Sequence, residues 1–178
     1  MKRSLVAAVT AAGALGLAGA GPGAGAFASA PAAAATPTCT ASGLSASLHH
    51  GLAGGMNHQG VELRLKNTSG HTCALRGYPG LGLENARHKT LKSTTTWGST
   101  WYADNPGTST IALKPGQSAQ AVIAWTHADE GTSGARHAAY LQVTPPASTT
   151  HKTVKFTAWV DNGKLSVTAL ARSVPLRG

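Results

Sequence analysis

The side chains best suited to chemistry in this sequence are histidines, tryptophans and cysteines. Eight histidines are present, and His49 and His50 are adjacent, with Met56 and His58 close behind. Imidazole and thioether suit copper and zinc, so His49, His50, Met56 and His58 form a candidate metal set. The H-x-x-x-H and H-x-H spacings are missing among them, and a Gly-rich stretch, Gly51 to Gly55, interrupts the group. The competing reading is solvated loop histidine. His127, Asp129 and His137 form a second, looser set.

The aromatic residues divide into two groups. Trp125 and Trp159 lie in or beside apolar runs and read as core. Trp97, Trp101 and Tyr102 flank Gly98-Ser99-Thr100, in a region poor in aliphatics. Exposed rings there could stack on sugar faces, with Asp104 and Asn105 binding hydroxyls. Alternatively, the rings cover one end of a β-sheet structure.

Catalytic patterns are missing. The sequence has no G-x-S-x-G elbow, no H-E-x-x-H pair and no phosphate loop. Of six acidic residues, only Asp129-Glu130 are neighbours. Adjacent carboxylates do not by themselves make an acid/base pair, so the expectation is a protein that is not an enzyme and needs no cofactor.

Charge points to the kind of partner. Lys and Arg number 15 against 6 Asp and Glu, a formal net charge of +9. The cations are scattered: Arg64 with Lys66, then Arg87, Lys89 and Lys92, then Lys152 with Lys155. No run of five exists and no aromatics are interleaved, so nucleic acid is not the expected partner. Outside a cell, such a charge would attract anionic wall polymers, lipid head groups or envelope proteins. Ordinary solubility is the alternative.

Export is written at the N-terminus. Lys2 and Arg3 precede the apolar run Leu5 to Ala20, and Ala26-Phe27-Ala28 has the small-x-small form of a signal-peptidase site. Residues 1–28 therefore read as a signal peptide, with a second cleavage point possible near Ala34. Residues 29–38, rich in Ala and Pro, read as a disordered spacer. Residues 39–178 then form one domain, with no transmembrane span in the mature chain. Cys39 and Cys73 are the only cysteines, and an even pair in an exported chain reads as a disulfide.

The elements positioning these groups have a period of two. Val61, Leu63 and Leu65 alternate with Glu62, Arg64 and Lys66. Similar alternation recurs around Leu44–Leu48, Leu81–Leu83, Thr110–Leu113, Ala119–Thr126, Leu141–Val143, Val154–Ala158 and Leu165–Ala169. Turn chemistry separates the runs: Tyr78-Pro79-Gly80, Asn105-Pro106-Gly107, Lys114-Pro115-Gly116, and Asp161-Asn162-Gly163, whose Asn-Gly suits a type I′ hairpin. Ala135 to Tyr140 could form one helical turn. The pattern predicts an all-β fold of eight or nine strands, an immunoglobulin-like antiparallel β-sandwich, with a small closed barrel as the alternative.

Several blocks together carry a family likeness: Cys73-x-Leu75-x-Gly77-Tyr78-Pro79-Gly80, then Leu113-x-Pro115-Gly116-x-x-Ala119, Ala124-Trp125, Val143-Thr144-Pro145-Pro146 and Gly163-x-Leu165-x-Val167. In this order they resemble the secreted actinobacterial family known as domain of unknown function 4232, over roughly Cys39 to Thr168. The resemblance implies an exported β-sandwich and no catalytic residue, since that family has no established biochemical role. It also implies that Cys39 and Cys73 match a family pair. Many members carry a second pair in the C-terminal half that this chain lacks, so its C-terminal hairpin must hold by packing.

Overall fold

A computed structural model describes residues 35–177. The expected signal peptide, both cleavage points and most of the spacer lie outside the described residues. No helix among the described residues is long and apolar enough to cross a membrane. Ordered pairing begins before Cys39. The Pro37 carbonyl accepts from the Ala74 N–H at 2.8 Å, and Thr38 bridges Ala74 in parallel. The end of the expected spacer is thus part of the fold.

Eleven strands follow: β1 Leu44–Ala53, β2 His58–Asn67, β3 Cys73–Arg76, β4 Gly80–Glu84, β5 Thr90–Leu91 and β6 Thr94–Trp97, then β7 Thr110–Leu113, β8 Ser118–Thr126, β9 Ala135–Thr144, β10 Lys152–Asp161 and β11 Lys164–Val167. They form three sheets, ordered β1-β2-β8-β11-β6, β10-β9-β4-β5 and β3-β7. The all-β expectation holds among the described residues, with three corrections. No sheet closes on itself, because each ends in free edges, so the barrel alternative is excluded. Pairing is not wholly antiparallel, since β6 joins β11 in parallel. Ala135 to Tyr140 is strand rather than a helical turn, because β9 is held between β10 and β4.

The alternating residues do what their period predicts. Leu63, Leu65, Ala121, Ile123, Leu165 and Val167 of the first sheet meet Leu83, Leu141, Val143, Phe156 and Val160 of the second in one core. Cys73 and Leu75 of β3, with Ile111 and Leu113 of β7, close it. Cys39 and Cys73 are disulfide-bonded there and buried. β10 and β11 lie in different sheets and do not pair, so the expected hairpin is instead a corner between sheets, turning at Asn162 and Gly163 with φ of 51° and 66°. That is the I′ geometry, and a Cβ at Gly163 would stand 2.2 Å from the Lys92 carbonyl oxygen.

A second, smaller cluster lies on the other face of the five-stranded sheet. Val122 of β8 is covered there by Ala103 and Val174, with Leu52, Tyr102 and Ala171 packed around them. The cover is a strap of two segments, the loop after β6 and the C-terminal segment. They are joined by an Ala103–Leu176 bridge and by an Arg177 N–H to Tyr102 carbonyl bond of 2.7 Å.

Candidate functional site

The four candidate metal ligands are not brought together. The hairpin of β1 and β2 sets His49 opposite Glu62, four positions along β2 from His58. At about 3.3 Å per residue this is a separation of roughly 13 Å. A bulge lies between His49 and Gly51, where His50 takes a φ of 47°. The His49 Nε2 is 2.8 Å from the Ser47 hydroxyl. Met56 sits at the turn and is 84% exposed. In the second set, His127 bridges Val160 on one side of β10, while His137 on β9 stacks on Trp159 from the other side, with ring centroids 4.5 Å apart. No group of three His, Cys, Asp or Glu among the described residues is placed to hold a metal ion.

The five candidate binding residues divide sharply. Alternation along β11 and β6 puts Trp97 on the side of its partner Val167, which faces the main core. At that sheet edge Trp97 is 61% exposed and stacks on Tyr78, with ring centroids 5.5 Å apart. Gly98, with a φ of 144°, then turns the chain over the edge. Trp101 therefore lies on the opposite face, 50% exposed, with one ring face stacked on His58 at 3.7 Å. The two tryptophans do not form one platform.

Tyr102, Asp104 and Asn105 hold the strap in place. The Tyr102 hydroxyl donates to the His58 carbonyl at 2.6 Å, and burial pushes its phenol pKa up, partly offset by the Gly54 backbone. Asp104 pairs with Arg177, whose guanidinium holds that carboxyl below its ordinary range. The Asn105 side chain donates to the Tyr78 hydroxyl at 2.6 Å and accepts from the Ala169 N–H at 3.0 Å. Tyr78 is thereby fixed, with Gly77 before it at a φ of 106°. Gly80, the other glycine of this block, opens β4 without a positive φ. The Cys73 to Gly80 block is thus built into the fold through Tyr78 and the disulfide.

A groove of about 260 Å³ opens on the strap side of the five-stranded sheet. Trp101 and His58 form one wall, Ala124 and Ser166 lie along its course, and Thr96, Thr126 and Lys164 stand around it. Of these, the sequence singled out only Trp101 and His58. The others come from three different strands, and nothing in the local pattern marks them.

Among the described residues, Arg64 with Glu62 and Arg177 with Asp104 are the Lys or Arg side chains in ion pairs. Arg87, Lys89, Lys152, Lys155 and Lys164 have no carboxylate partner there.

The family described as Domain of unknown function (DUF4232) matches residues 39–171. No curated protein matches the chain, and no solved structure does.

Proposed function

This chain belongs to the DUF4232 family, and from that premise we propose that it is a secreted, non-catalytic binding module of the cell envelope. Two sheets sharing one core support an immunoglobulin-like sandwich as its scaffold. The partners are anionic cell-wall polymers or the envelope proteins that carry them, met after export by the N-terminal signal. The observation that carries this reading is the surplus of unpaired cations: the chain has a formal charge of +9, and all of its Lys and Arg except Lys2 and Arg3 lie in the domain. Unpaired surface cations attract polyanions over a Debye length, and salt weakens that attraction.

The test is co-sedimentation of the purified protein with isolated cell walls. Binding is expected at about 0.05 M salt and is expected to be largely lost near 1 M, where the Debye length shrinks to about 3 Å. Binding that salt does not weaken, or no binding at low salt, would overturn the reading.

A further inference from the structure

We propose that the groove beside Trp101 is a subsite for one negatively charged sugar unit of a polysaccharide, with Trp101 as the stacking platform and Lys164 as the anion partner. This rests on the envelope-polymer reading above and says where on the domain such a polymer is gripped.

The argument begins with how the groove arises. The strap covers Val122 through Tyr102, Ala103 and Val174. Ala124, two residues along β8 on the same face, lies in the groove instead. The strap's last ring at this end is Trp101. His58 covers one face of that indole, so its exposed half is the opposite face and the rim. The platform is held from behind: the carbonyl of the same His58 accepts the Tyr102 hydroxyl. A half-exposed indole fixed in this way loses little freedom when a ligand stacks on it.

The surrounding groups suit a polyol. Thr96 and Thr126 are exposed, and their hydroxyls have no partner among the described residues. Ser166 donates to the Ala124 carbonyl at 3.2 Å and keeps its oxygen lone pairs as acceptors. Hydroxyls beside an apolar ring face match the two-sided character of a pyranose, which offers C–H groups on its faces and O–H groups around its rim. Lys164 supplies the sign of the charge, because no carboxylate among the described residues neutralises it. The volume sets the length: 260 Å³ lies below the roughly 300–1,000 Å³ of drug-sized sites, so one ring enters and the chain continues outside.

The experiment titrates the purified protein with tetragalacturonate and with glucose 1-phosphate, following tryptophan fluorescence and heat. Tetragalactose (ring without charge) and linear polyphosphate (charge without ring) run in parallel. At least one charged sugar is expected to bind more tightly than both controls. Trp101→Ala should weaken it roughly ten-fold, as loss of a stacked ring does. Lys164→Gln should weaken it up to about five-fold. Trp97→Ala, on the opposite face, should leave it unchanged. Trp101→Phe should keep part of the affinity and guards against a folding defect in the alanine variant.

Polyphosphate binding as tightly as the sugars, or a folded Trp101→Ala protein binding normally, overturns the subsite. So does failure of both charged sugars to bind while walls still bind in a salt-sensitive way, and that outcome leaves the polymer reading standing. Trp101-dependent sugar binding by a protein that ignores walls does the reverse.

Discussion

The Tyr102 hydroxyl donates to the His58 carbonyl at 2.6 Å while the Tyr102 ring lies against the bare backbone of Gly60. The strap, the β1–β2 hairpin and the Trp101 platform meet at this contact. A Cβ on Gly60 would stand 2.6 Å from Tyr102 Cδ2 and 2.9 Å from the Ile123 carbonyl oxygen. The second neighbour is central-strand backbone and cannot swing aside. Gly60→Ala should therefore cost about 1–3 kcal/mol, the range for overpacking a filled site. Urea unfolding followed by fluorescence would measure it, and an unchanged midpoint would mean that the ring is not seated there.

Asn105 ties three segments together through one side chain. It reaches Tyr78 in the β3–β4 turn and the Ala169 N–H after β11, and its own N–H donates to the Ser99 hydroxyl. Asn105→Ala leaves the Ala169 N–H without its acceptor. The expected loss is about 1–3 kcal/mol, the cost of stranding a buried polar group. Asn105→Asp keeps that acceptor and should lose less. Equal stabilities for the two variants, measured by thermal unfolding, would contradict this account.

These contacts also mark how far the sequence can be read. Period-two alternation identified the inward residues of β2 and β8, because half-burial imposes that pattern locally. Asn162-Gly163 announced its turn because few residue pairs accept two positive φ values. β6 was missed: Thr94–Trp97 contains no aliphatic residue, and it is a strand because β11 pairs with it in parallel. Ala135 to Tyr140 misled through its alanines, whose helical preference gives way to pairing on both sides of β9. Trp97 and Trp101 are four residues apart and looked like one site. An edge strand followed by a reversal at Gly98 puts them on opposite faces. Thr96, Thr126, Lys164 and Ser166 converge only through sheet order, which no local window encodes.

The disulfide closes a loop spanning 34 residues, between the segment paired with β3 and β3 itself. Restricting the unfolded chain over such a loop is worth about 3–4 kcal/mol. Replacing both cysteines, as Cys39→Ser with Cys73→Ser, should lower stability by that amount. Denaturant unfolding of wild type with and without reductant should show the same difference. A double variant as stable as wild type would mean that backbone pairing at Ala74 alone holds the N-terminal segment.

Ala147 occupies a position better suited to glycine. The Ser148 N–H donates to the Pro145 carbonyl at 3.1 Å, closing a turn in which Ala147 has a φ of 58°. A side chain in that region is strained, and the third position of such turns favours glycine. Ala147→Gly should relieve more strain than it adds in unfolded-chain entropy, a net gain of up to about 1 kcal/mol. For a chain of this size that corresponds to a rise in Tm of about 2–4 °C by calorimetry. A fall in Tm would show that entropy outweighs strain here.

Glu84 gives the fold a dependence on pH. Its carboxylate is buried at the end of β4, accepts from the Gln142 amide and lies 2.8 Å from His88 Nδ1. The Gln142 hydrogen bond, and after it the His88 one, lowers its pKa below the ordinary value of 4.5, with His151 adding a weaker attraction. The folded state therefore favours the charged form more than the unfolded chain does. Its stabilisation is complete above the unfolded value and disappears as pH falls through the lower folded value. Thermal unfolding between about pH 7 and pH 3 should show the wild-type Tm dropping on the acid side. Glu84→Gln should start lower at neutral pH and fall less steeply, because a neutral amide has no proton to take up. Parallel Tm curves for the two proteins would mean that Glu84 titrates alike folded and unfolded, and that its two partners hold it by geometry without favouring its charge.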